Sequence, residues 1–130
     1  MHCIGVDIIE IARIHEAVDR WGERFLQRVY TEPELRLCRK KPRLLAARFA
    51  GKEAVMKTLG TGAKGVSWRE IEILAESSGK PLVRLCGKAR DKAEELGLGE
   101  LVISLSDSKE YAIAFVSGET GPHGKSITGR

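Results

Sequence analysis

The stretch Arg48-Phe49-Ala50-Gly51-Lys52-Glu53-Ala54-Val55-Met56-Lys57 decides the reading of this 130-residue chain. It is spaced as a helix, and its charges are not where a merely solvated helix keeps them. At ~100° per residue, Glu53 and Lys57 fall on one side, among Ala46, Phe49, Ala50 and Ala54. Arg48 and Lys52 fall on another side, roughly 120–140° away. A surface helix confines its charges to one face. This one sets a carboxylate and an ammonium among small apolar side chains. Charges so placed need partners or a metal, because unpaired burial is costly. Glu53 and Lys57 are therefore candidate site residues. As an i, i+4 pair they also stabilise the helix itself, so a structural role stays open.

Outward from this segment, Pro42 opens the long helix and Leu59 closes it, with Gly60 and Gly62 as the stop. Upstream, Thr31-Glu32-Pro33-Glu34 reads as a helix start with Thr31 as N-cap, for a short helix reaching Arg39. Ile11, Ile14, Val18, Trp21 and Phe25 recur at helical spacing and predict one helix from Glu10 to Phe25. Cys3 to Ile9 is apolar and β-branched, as a buried strand is. Downstream, Trp68–Ala75 and Leu82–Cys86 predict a hairpin across Ser78-Gly79-Lys80-Pro81. A short helix follows at Ala89–Leu96, then strands at Leu101–Ser106 and Tyr111–Val116. Residues 118–130 show no periodicity and are expected to be a flexible tail after a domain spanning 1–117.

Composition bounds the function. The chain is 42% hydrophobic and 31% charged, with 5% aromatics, which describes one soluble domain with an aliphatic core. A net charge of +4 favours an anionic partner without naming one. Cys3, Cys38 and Cys86 are scattered and odd in number, against a disulfide framework or zinc site. Reduced thiols in a cytoplasm are the simplest reading. No apolar run reaches the ~20 residues of a membrane span, and no secretory signal is expected.

Asp7 interrupts the first strand. Gly5, Asp7 and Ile9 share one side, Ile4, Val6 and Ile8 the other. Two readings stand. Asp7 is a metal-binding carboxylate beside a glycine that leaves room for a ligand, or it is the N-cap of a box completed by Glu10. If Asp7 and Glu53 meet, they form a hard-oxygen site suited to Mg²⁺, with Lys57 one turn away to neutralise a phosphate oxygen. Gly60-Thr61-Gly62-Ala63-Lys64-Gly65 is able to approach a phosphate through backbone N–H groups and Lys64. Alone, it reads more simply as a glycine C-cap. Arg13, Arg20 and Arg24 fall within roughly 40° on the first helix. They make an ordinary solvated face, or a stripe for an acidic helix or a phosphate backbone. Nucleic acid is the less favoured partner, since zinc motif, RNP-type strand and dense basic cluster are all missing.

Together these residues resemble the holo-acyl-carrier-protein synthases, the small bacterial phosphopantetheinyl transferases. The likeness begins at Ile4-Gly5-Val6-Asp7-Ile8-Ile9-Glu10-Ile11 and continues through Arg28-Val29-Tyr30-Thr31-Glu32-Pro33-Glu34-Leu35. It is strongest at Arg48–Lys57 with Gly60-Thr61-Gly62. It extends through Gly79-Lys80-Pro81 to Ser104-Leu105-Ser106-Asp107-Ser108-Lys109-Glu110-Tyr111-Ala112. The resemblance implies an α+β phosphopantetheinyl transferase fold, a small antiparallel sheet packed with one long and several short helices. It also implies a homotrimer with active sites between subunits. The implied reaction moves 4′-phosphopantetheine from coenzyme A to a serine of an acyl carrier protein and releases adenosine 3′,5′-bisphosphate. The carrier is one of fatty-acid biosynthesis or of secondary metabolism. By position, Asp7 and Glu53 would hold Mg²⁺, and Lys57 would lie against the diphosphate. Arg48, Lys52, Gly60, Gly62 and Lys64 would lie near coenzyme A. Arg13, Arg20 and Arg24 would face the carrier's acidic helix. The serine's base would be Glu53 or a metal-linked water.

Two positions depart from the family pattern. Asp107 stands where histidine is common, near coenzyme A phosphates, so its charge must be turned away or join the metal shell. Gly51 stands where alanine is usual, and is expected to cost up to ~1 kcal/mol of helix stability without touching a role. A non-catalytic module of the same fold, or a small basic nucleic-acid-binding protein, are the rival readings.

Overall fold

The computed structural model describes residues 1–121. Strand β1 (His2–Glu10) is followed by helices α1 (Ile11–Trp21), α2 (Glu23–Val29), α3 (Glu32–Cys38) and α4 (Pro42–Leu59). The short α5 (Gly62–Gly65) and a 3₁₀ turn (Trp68–Glu70) lead to the hairpin β2 (Ile71–Ala75) and β3 (Pro81–Leu85). Helix α6 (Gly87–Glu95) precedes β4 (Val102–Asp107) and β5 (Tyr111–Glu119). The antiparallel sheet has the order β1-β5-β4, and β2 and β3 pair separately. This is the expected α+β architecture.

Helix α4 lies on one face of the sheet, against β1 and β5, and its bounds are those that Pro42 and Gly60 set. Gly60 takes φ +74, the left-handed conformation of a glycine helix stop. The close approach of β1 to α4 depends on Gly5. A Cβ there would lie 2.0 Å from the Ala54 carbonyl oxygen. The space beside Gly5 is thus filled by helix backbone, which corrects the expectation that it leaves room for a ligand. Gly51 also has a packing role. A Cβ there would sit 2.4 Å from Ile73 Cδ1.

The single first helix is corrected to two. Gly22 adopts φ +55 and ψ −131, a conformation that only glycine holds easily. Its N–H still closes on Val18 O at 2.8 Å, and the chain then turns into α2. Trp21, read as part of the apolar stripe, is half exposed, while Ile14, Leu26 and Val29 fill the core. Thr31 caps α3 as expected. Its Oγ1 accepts from Glu34 N, and Glu34 Oε1 accepts from Thr31 N at 2.9 Å. The expected boundary at residue 117 also moves. β5 continues to Glu119, Gly118 packs on Leu98 and Leu101, and Thr120 N donates to Met1 O at 2.7 Å. The rest of the expected tail, 122–130, lies outside the described residues.

Candidate functional site

Strand and helix periodicity bring Asp7 and Glu53 together. Asp7 sits mid-strand opposite Ala114 of β5, on the side of the sheet that faces α4. The N-cap of α1 is Glu10, without a side-chain hydrogen bond, so the capping-box reading of Asp7 is excluded. Lys57 Nζ stands 3.0 Å from Asp7 Oδ1 and donates to Val6 O at 3.0 Å. The Asp7 side chain is 13% exposed and that of Lys57 55%. Asp7 Oδ2 is buried and has no hydrogen-bond partner. A buried carboxylate oxygen left without a donor is rare and calls for an ion or water.

Burial, and then the neighbouring Asp7 carboxylate, push the Glu53 carboxyl up to about 7, against the pull of Lys57 and Arg13. Two carboxylates this close resist double ionisation, and either a shared proton or a cation relieves both. A cavity of about 430 Å³ opens beside them, lined by Asp7, Ile9, Arg13, Phe25, Phe49 and Glu53. Among the described residues, no cluster of three or more His, Cys, Asp and Glu side chains forms a metal site. This pair fits an ion whose remaining ligands are phosphate oxygens and water, as Mg²⁺ commonly takes.

Arg48 and Lys52, expected near coenzyme A, both have partners inside the protein. Lys52 is fully buried, its Nζ 2.7 Å from Glu34 Oε1 and bonded to the carbonyls of Trp68 and Ile71. Desolvation pulls its ammonium below the ordinary value and Glu34 pulls it back. Arg48 is buried and donates from Nε to Ile73 O at 3.4 Å. Gly60, the C-cap of α4, and Gly62 and Lys64 on the short α5 are exposed, and both glycines have positive φ.

A family profile for the 4′-phosphopantetheinyl transferase superfamily matches residues 3–116. The chain belongs to that superfamily. A holo-[acyl-carrier-protein] synthase of Herpetosiphon aurantiacus is 53% identical over 121 residues, covering 88% of this chain and 95% of the relative. One from Dehalococcoides mccartyi is 55% identical over 112 residues, covering 86% and 93%. The crystal structure of Helicobacter pylori holo-[acyl-carrier-protein] synthase in complex with coenzyme A superposes with TM-score 0.82 at 35% identity, over 89% of this chain and 99% of that one. The chain is accordingly an enzyme, a phosphopantetheinyl transferase of the holo-[acyl-carrier-protein] synthase type.

In this transferase the expected arginine stripe is divided by the break at Gly22. Arg20 on α1 and Arg24 on α2 both lie over the exposed Trp21 ring, at 5.2 and 6.0 Å from its centroid. Arg28 joins them, lining a second cavity with Trp21, Arg24 and Phe25. Sequence reading missed Arg28 because the expected helix ended at Phe25, although Trp21, Arg24, Phe25 and Arg28 stand at i, i+3, i+4 and i+7. Arg13 departs from the group and faces the Asp7–Glu53 cavity. Phe25 and Phe49 also line that cavity, their rings 6.3 Å apart. Asp107 ends β4 with its Oδ2 3.6 Å from an Arg43 guanidinium nitrogen, so its charge is matched within the chain.

Proposed function

We propose that this transferase moves the 4′-phosphopantetheine group of coenzyme A to a serine of an apo acyl carrier protein, requires Mg²⁺, and releases adenosine 3′,5′-bisphosphate. The observation that supports it most is the Asp7–Glu53 pair with its unpartnered Asp7 Oδ2. Relatives bearing the synthase name, and one solved with coenzyme A, support the choice of substrates. In the proposed site Asp7 and Glu53 hold the ion. Bound there, Mg²⁺ would neutralise charge on the diphosphate and on the departing oxygen, the main demand of phosphoryl transfer. Lys57 holds a positive charge beside Asp7 and toward the diphosphate. Glu53 or a metal-linked water would accept the serine proton. The exposed turn with Gly60, Gly62 and Lys64 lies beside coenzyme A. Arg20 and Arg24 dock the acidic helix of the carrier, and Arg13 sits where that surface meets the carboxylates.

The reading includes a homotrimer in the cytoplasm, with the site at a subunit boundary. Its support is the bare sheet face turned away from α4, where Ile4, Val6, Ile8, Val102, Ile113 and Phe115 are each 40–60% exposed. Among the described residues no helix is long and apolar enough to cross a membrane.

Intact mass spectrometry of an apo carrier incubated with enzyme, coenzyme A and Mg²⁺ tests the reaction. One phosphopantetheine should be added, and EDTA should prevent it. Asp7→Ala and Glu53→Ala should each lower the rate at least about 100-fold, the scale of ~2.7–4 kcal/mol that a single preorganised electrostatic contact supplies. Full activity in both variants would overturn the site. Folded parent enzyme that binds coenzyme A and modifies no carrier would overturn the proposed acceptor.

A further inference from the structure

Helix α4 carries Glu53 and Lys57, yet nothing in its apolar pattern fixes how it is rotated. Its buried residues include Leu45 to Arg48, Ala50 to Lys52 and Ala54 to Met56, which cover nearly its whole circumference. A helix buried all round has no single apolar face to choose one rotation over another. The Gly5 contact holds α4 close to β1. Buried polar contacts also hold it: Tyr30 Oη donates to Leu45 O at 2.7 Å, Arg48 Nε donates to Ile73 O at 3.4 Å, and Lys52 pairs with Glu34, the one contact of the three between opposite charges. Lys52 Nζ meets Glu34 Oε1 at 2.7 Å, Trp68 O at 3.1 Å and Ile71 O. Glu34 also accepts from Thr31 N at 2.9 Å and from Ile73 N at 2.7 Å. One ion pair thus ties α4 to the cap of α3, the 3₁₀ turn and β2. A buried pair of this kind is seldom the most stable filling, since apolar residues of similar volume often do as well or better. Its contribution is directional, as with buried polar groups that fix helix register.

We propose that Glu34 and Lys52 are positioning residues. Their ion pair sets the rotation of α4 and thereby places Glu53 and Lys57 against Asp7. The inference rests on the metal site proposed above. The test compares the parent with E34Q/K52M, which removes both charges at similar volume, and with E34D, which keeps the charge and shortens its reach. Mn²⁺ binding is measured by electron paramagnetic resonance with coenzyme A present, alongside kcat, carrier KM and thermal melting. Expected is a folded E34Q/K52M with Mn²⁺ affinity and kcat each at least tenfold lower and carrier KM within twofold, because the docking arginines lie on other helices. E34D should lose at least threefold in both. A cooperatively melting E34Q/K52M that keeps Mn²⁺ affinity and kcat within twofold of the parent overturns the inference. If the double variant does not fold, E34D decides by the same twofold criterion. A parent that binds coenzyme A but no Mn²⁺ overturns the metal reading and this inference with it. A parent that binds both, with variants that bind equally, overturns this inference alone.

Discussion

At the scale of single residues, the chemistry rests on an unfavourable arrangement. Asp7 and Glu53 are close enough that the Glu53 carboxyl is held at about 7, above its ordinary 4.5. Folded protein therefore binds more protons than unfolded protein across that window. The stability this group contributes is full below about pH 4.5 and is lost as pH rises through about 7. A divalent cation held by the pair, as proposed, would replace the proton, so its benefit should grow over the same range. The melting temperature is expected to rise more with Mg²⁺ at pH 8 than at pH 5, and Glu53→Gln should remove that difference. Equal Mg²⁺ shifts at both pH values, in parent and variant alike, would show that the pair does not hold the ion.

At the scale of elements, two glycines separate close approach from propensity. Gly5 faces backbone, which cannot give way. Gly5→Ala is expected to cost about 3 kcal/mol or more in a denaturant titration, the upper range for overpacking. Gly51 faces the ends of three side chains, Ile73 Cδ1 nearest, then Ile103 Cδ1 and Leu105 Cδ2. Gly51→Ala gains up to ~1 kcal/mol of helix propensity and loses it to the clash. Combined with Ile73→Val it should be more stable than the sum of the single changes, and additive values would deny the contact. Neither role was legible in the sequence, where Gly5 read as ligand space and Gly51 as a harmless departure. Both depend on which distant residue packs there. Helix α4 itself was legible, because Pro42 and Gly60 are local signals. The break at Gly22 was not, because apolar spacing runs through it to Phe25. Asp7 and Glu53 were legible as a candidate pair, but Asp7 also fitted a cap until its pairing with Ala114 placed it mid-strand. The burial of Arg48 and Lys52 was not legible either. Their partners, Ile73 and Glu34, lie on other elements that periodicity within α4 cannot reveal.

At the scale of the whole molecule, the sheet is finished on one side only. β1 alternates so that Gly5 and Ile9 meet α4, and Ile4, Val6 and Ile8 face outward. Opposite them on β5 stand Phe115 beside Val6 and Ile113 beside Ile8, and Val102 extends the patch onto β4. Burying an apolar side chain is worth ~1.5–3 kcal/mol. Six half-exposed ones therefore offer an amount comparable to the ~4–15 kcal/mol cost of association. Copies of the same chain in a closed ring cover such a face on every subunit at once. A charge at its centre should tip that balance. Phe115→Lys is expected to sediment as a single chain of 14.3 kDa where the parent sediments near three times that mass. Its side chain points away from Asp7 and Glu53, so an isolated subunit with a complete site would keep its activity. If the site lies between subunits, carrier modification should fall at least tenfold while the circular dichroism spectrum is unchanged. A parent that sediments as a single chain rejects the trimer. A fully active single-chain variant rejects the shared site, since the sheet face would then be remote from catalysis.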